Sequence, residues 1–100
     1  MSETKVQRHK RLCEGLTALY ERKNKDYADS FAKARKEIPN YTLGKIFDKF
    51  ERYKNLSRTA DRQVLDETIV DTLLDMANYC LMEVIEREID NEHIQESPRD

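Results

Sequence analysis

The chain reads as an all-α protein, a small helical bundle built around one long central helix and expected to oligomerise. Three observations point there. Residues 66–83, DETIVDTLLDMANYCLME, run without a helix breaker and are rich in apolar and small side chains. Apolar residues elsewhere recur at three-to-four-residue spacing, the signature of helices with one buried face. Two glycines and two prolines in 100 residues are too few for a turn-rich β fold.

Residues from about Glu3 to Lys23 form the first expected helix, with Val6, Leu12, Cys13, Leu16, Leu19 and Tyr20 on its apolar side and Ser2 or Thr4 as its cap. Asn24 to Ser30 interrupt the pattern with turn-forming Asn and Asp. A short helix from about Asp29 to Ile38 follows, with Phe31, Ala34 and Ile38 inward, and Pro39-Asn40 ends it. A third helix spans about Thr42 to Leu56, capped by Thr42. Leu43, Ile46, Phe47, Phe50 and Tyr53 form its apolar stripe, and Lys45, Asp48, Lys49 and Arg52 line the stripe beside it. After a polar connection, Ser57 to Gln63, the long helix runs from about Val64 to Glu88. Residues 1–90 read as a single helical domain and 91–100 as a flexible C-terminal tail.

Composition narrows the function classes. Apolar residues make up 38% and charged residues another 38%, which is polar for a globular chain and favours burial of the remaining surface between copies. A net charge of −2 gives no bulk signal for nucleic acid. No apolar run approaches the ~18 residues that span a bilayer, so no membrane partner is expected. The start, MSETKVQRHKR, has no apolar signal core. Cys13 and Cys80 lack metal-binding or redox spacing and read as free core thiols in a reducing cytoplasm.

The chemistry lies in charged rows. Glu67, Asp71 and Asp75 stand at i, i+4 and i+8, with Asn78 and Met82 extending the row. Carboxylates flanked by apolar residues need a counter-charge. One reading is a Mg²⁺ site that clamps a polyphosphate; the other is a stripe of salt bridges. Lys45, Lys49 and Arg52, with Lys25 in the first interruption, offer either phosphate contacts or the counter-ions of that row. Among Tyr27, Tyr41, Tyr53 and Tyr79, Tyr27 is placed best to stack on a base. No Gly-rich phosphate loop, Ser/His/Asp set or zinc spacing occurs, so any catalysis would rest on carboxylates and metal.

Three segments taken together resemble a known family. They are KDYADSF at residues 25–31, LGKIFDKFER at 43–52 and DETIVDTLLDMANY at 66–79. Their order and spacing are similar to the first nucleotide-modification-associated domain, a small helical family common in phages and prophages. Its pattern is roughly K-x-x-DYG, then DK-x-x-R, then E-(S/T)-x-x-DTLLD-x-ANY. The resemblance covers about Leu16 to Met82, with Ala28 where the family usually has glycine. It implies a role in nucleotide metabolism, with a nucleotide or nucleotide-derived small molecule as partner, in the cytoplasm or, if phage-encoded, the host cytoplasm. The chain also looks like the all-α nucleoside triphosphate pyrophosphohydrolases of the MazG and dimeric dUTPase group, which hold Mg²⁺ with paired carboxylates from two helices.

That second likeness implies metal ligands at Asp48, Glu67, Asp71 and Asp75, with Glu67 and Asp71 as catalytic carboxylates. The i+4 spacing of Glu67 and Asp71 departs from the i+3 pair of those enzymes. Lys25, Asp26, Tyr27, Lys45, Lys49, Arg52, Asn78 and Tyr79 would contact nucleotide. Two functions follow: a Mg²⁺-dependent pyrophosphohydrolase-like enzyme, or a non-catalytic sponge that sequesters immune-signalling nucleotides and so evades host anti-phage defence. A third reading makes both charged rows an interhelical network with no ligand.

Overall fold

The computed structural model of the chain describes residues 2–26, 29–58 and 62–96; the side chains of 26, 62–65, 95 and 96 are not described. All regular structure among these residues is helical: α1 (Lys5–Asp26), α2 (Ser30–Glu37), α3 (Tyr41–Leu56) and α4 (Arg62–Glu96). The expected Tyr27 and Ala28 of the first interruption lie outside the described residues.

Helix α1 starts where the sequence places its cap. The Thr4 N–H donates to Gln7 Oε1 at 2.8 Å, and the Gln7 N–H donates to Thr4 Oγ1 at 3.1 Å. This reciprocal capping box satisfies two donors that the first turn leaves unpaired. The helix continues through Asn24, Lys25 and Asp26, three residues beyond the expected end at Lys23. Asn and Asp are weak helix formers, yet one additional turn costs little on an established helix.

Two left-handed residues set the corners. Asp29 (φ 59°) precedes α2, and Asn40 (φ 58°) precedes α3. Asn and Asp tolerate this region best among residues with a Cβ. Thr42 was the expected cap of α3; Asn40 holds that position instead, and Thr42 lies inside the helix, buried.

Helices α3 and α4 form an antiparallel hairpin, the main tertiary contact of the chain. Lys49 reaches Asp75 on α4, while Thr42, one helical stretch earlier on α3, sits beside Glu83, later on α4. Thr42, Ile46, Lys49, Tyr53 and Leu56 face inward on α3. The expected apolar stripe of α3 therefore splits. Ile46 and Tyr53 point in, whereas Leu43, Phe47 and Phe50 are solvent-exposed. The long helix is likewise not the buried rod its composition implies: Thr72 is 3% exposed, but Val70, Leu73, Leu81 and Val84 face solvent. Both cysteines are exposed, correcting their expected place in the core. Helix α4 also runs on to Glu96, beyond the expected end at Glu88.

Helix α2 is tied to α4 by charge. The Arg35 guanidinium donates through Nε and Nη2 to the two Glu83 carboxylate oxygens, each at 2.9 Å, and through Nη1 to Asp90 at 3.0 Å. Arg87 adds a 2.7 Å bond to Glu83 one turn away. The Arg35 fork, then the Thr42 and Arg87 donors, hold the Glu83 carboxyl down at about 2, against a smaller upward push from burial. The buried Thr42 hydroxyl meets no acceptor at hydrogen-bonding geometry among the described residues, but it lies beside that carboxylate and its rotor can turn toward it.

Candidate nucleotide pocket

A cavity of about 350 Å³ opens between the C-terminal half of α1, the start of α2 and the α3/α4 hairpin. That volume falls in the range of small-molecule sites. Its apolar wall is aromatic. Phe31 is buried and packs edge-on against Tyr41, ring centroids 5.9 Å apart, and lies tilted against Tyr79 at 6.2 Å. Tyr20 closes the wall from α1. Burial pushes the Tyr20 phenol upward, and Asp29 and Glu86 push the same way, so it stays protonated and able to donate.

The polar groups converge on the same space. Asn24 and Asn78 bring amides that can both donate and accept, the pairing that a base edge requires. Lys23 and Lys49 bring charge, and Asp75 brings a carboxylate. Lys49 Nζ bonds Asp75 Oδ2 at 3.1 Å with both side chains partly solvated. Thus Lys49, one of the four expected counter-ions, does face the acidic row.

The cavity continues into a shallower groove of about 580 Å³ along α3. Lys49 and Tyr79 line both spaces, and the groove adds Lys45, Arg52 and Asn55. Lys45 lies over the Tyr41 ring, Nζ 5.4 Å from its centroid. An aromatic, amide-lined pocket thus opens onto a groove in which Lys45, Lys49 and Arg52 stand beside the carboxylates of Asp48 and Glu51.

The expected site residues divide. Lys49, Asn78 and Tyr79 line the pocket, and Lys45 and Arg52 line the groove. Lys25 is exposed and lines neither; Tyr27 and the side chain of Asp26 lie outside the described residues. Asp75 belongs to the pocket and Asp48 to the rim of the groove, while Glu67 and Asp71 are exposed and line neither space. Among the described residues, no three His, Cys, Asp or Glu side chains gather into a group able to hold a metal ion. The four expected Mg²⁺ ligands do not fit one ion in this arrangement, since Asp75 points to Lys49 and Glu67 lies two helical turns away along α4.

Tyr20, Lys23, Asn24 and Phe31 were not expected as site residues. Tyr20, Lys23 and Asn24 stand at i, i+3 and i+4, one face of a helix; Tyr20 and Lys23 lay within the expected first helix, and ending it at Lys23 left out only Asn24.

A family model described as Nucleotide modification associated domain 1 matches residues 23–86, well over half of the chain. The chain belongs to this family. The matched stretch contains Lys23, Asn24 and every pocket residue of α2, α3 and α4; of the pocket wall only Tyr20 lies before it. No curated protein and no solved structure matches the chain. Among the described residues, no helix is long and apolar enough to cross a membrane.

Proposed function

We propose that this member of the nucleotide modification associated domain 1 family binds a nucleotide or nucleotide-derived small molecule, the base among Tyr20, Phe31, Tyr41 and Tyr79 and the phosphates toward Lys49, Lys45 and Arg52. The observation that carries this reading is the junction of the two spaces at Lys49 and Tyr79. Aromatic faces suit a base, the Asn24 and Asn78 amides suit its polar edge or a ribose, and Lys and Arg suit phosphate oxygens. Asp75 neutralises Lys49 in the free protein and can accept a ribose hydroxyl once Lys49 turns to phosphate.

Binding without turnover is the form the geometry supports best. The carboxylates that a metal-dependent hydrolysis needs are dispersed among the described residues, whereas the groups for recognition are gathered. Holding a nucleotide intact is the chemistry that sequestration requires.

The test has two readings. The protein is incubated with Mg²⁺ and a panel of nucleoside triphosphates, ADP-ribose-type molecules and cyclic oligonucleotides, and the free small molecules are separated before and after heat denaturation. A compound that disappears and returns intact supports binding without turnover. Conversion of a triphosphate to monophosphate and pyrophosphate would replace it with the hydrolase reading. No depletion of any compound would remove the nucleotide assignment.

A further inference from the structure

Among the described residues, no element covers the side of the α3/α4 hairpin opposite the pocket. Counting roughly 100° per residue from the inward-facing Thr42, the exposed Leu43, Phe47 and Phe50 of α3 fall to one side. Counted the same way from Tyr79, the exposed Val70, Leu73 and Val84 of α4 fall in the same rotational sense or diametrically outward. In an antiparallel pair, equal senses of rotation mean the same side of the hairpin. Lys45, Arg52, Asn78 and Met82 fall in the opposite sense, toward the pocket and groove.

We propose that this apolar face is covered by the same face of a second copy of the chain. Three observations favour a second copy. First, the chain exposes 8591 Å², whereas a compact monomer of 11.9 kDa exposes about 6,000 Å². The excess is a property of the chain itself, and the exposed Leu43, Phe47, Phe50, Val70, Leu73 and Val84 contribute to it. Second, Leu16 and Phe31 are the buried hydrophobic residues among those described, and the radius of gyration is 16.9 Å against about 13 Å for a compact 100-residue domain. A chain with so little interior of its own gains most from sharing one. Third, the six side chains expose between 40% and 66% of their surface, together roughly 600 Å² of mostly apolar area, near the ~800 Å² each partner buries in a standard interface.

A two-fold contact is self-complementary, so residues near the middle of the face meet their own counterparts. Cys80 is exposed close to that middle, one turn from Ala77 on α4. The pocket stays open on the far side, so pairing and nucleotide binding use separate surfaces.

Sedimentation at micromolar concentration, with short bismaleimide cross-linking of the Cys13→Ala protein, tests this. The expected mass is about 24 kDa, twice the 11.9 kDa of one chain, with cross-linking through Cys80. Phe47→Glu with Leu73→Glu is expected to halve the mass and abolish the cross-link. Should that variant lose its helical signal, the wild-type melting temperature decides, because a dimer melts higher as its concentration rises. A wild-type mass of one chain with a concentration-independent melting temperature would overturn the proposal, as would an unchanged mass and cross-link in a folded double variant.

Discussion

Replacing Glu83 by Gln removes the charge on which Arg35, Arg87 and Thr42 converge, and its cost can be worked from the structure. The Glu83 carboxyl is held at about 2 against an ordinary value of 4.5. At 1.36 kcal/mol per pH unit the difference amounts to about 3 kcal/mol of stability at neutral pH. Glu83 and Arg35 side chains keep 19% and 23% of their exposure, and a Gln amide preserves one acceptor, so a loss of about 2 kcal/mol is expected. For a domain of this size that lowers the melting temperature by roughly 10 °C. The pH dependence gives the sharper test. A carboxyl whose folded pKa is depressed stabilises fully above its unfolded pKa and loses that contribution as pH falls through the folded value. The gap between wild type and Glu83→Gln should hold steady from pH 7 to about pH 5, lose more than half its size by pH 3, and nearly vanish at pH 2. Denaturant titrations of both proteins at fixed concentration across this range measure it. A gap that is the same at pH 7 and pH 3, or one under about 0.5 kcal/mol at pH 7, would refute the claim that the Arg35–Glu83 fork fastens α2 to α4.

Other outcomes follow from single residues. Thr4→Ala should cost about 1 kcal/mol or less, seen as fraying of the first turn of α1 in amide hydrogen exchange, because it removes one half of the capping box. Asp71→Asn should leave both stability and nucleotide binding within error, since Asp71 is exposed and lines neither the pocket nor the groove; a large loss of binding would return it to the site. Phe31→Ala should destabilise by about 3 kcal/mol, because it removes a buried ring that contacts Tyr41 and Tyr79. Lys49→Ala should weaken binding of a triphosphate about tenfold or more while binding of the nucleoside changes little, as calorimetric titration would show.

Much of this fold was legible because helices write themselves as spacing. Leu16, Phe31, Ile46 and Tyr53 all recur at helical intervals, and Pro39-Asn40 marks a corner that the left-handed Asn40 then makes. The approach of Lys49 to Asp75 was foreshadowed too, since carboxylates on a semi-apolar helix call for cations from its neighbour. What spacing does not encode is which of two apolar rows faces inward. Phe47 and Phe50 share the periodicity of Ile46 and Tyr53 but lie on the other side of the hairpin. Glu67 and Asp71 belong to the same row as Asp75, yet α3 reaches only the Asp75 end with a cation. The share of α1 in the pocket escaped for a local reason: Asn24 looks like a turn residue and serves as a helical one.

The central prediction is that a nucleotide enters the pocket between α1 and the hairpin. Titration of isotopically labelled protein with the nucleotide that the depletion panel retains, followed by amide and side-chain NMR shifts, addresses this directly. The predicted shifts cluster at Tyr20, Asn24, Tyr41, Asn78 and Tyr79 and extend along the groove to Lys45 and Arg52. Shifts centred instead on Glu67 and Asp71, with the pocket residues unmoved, would contradict it.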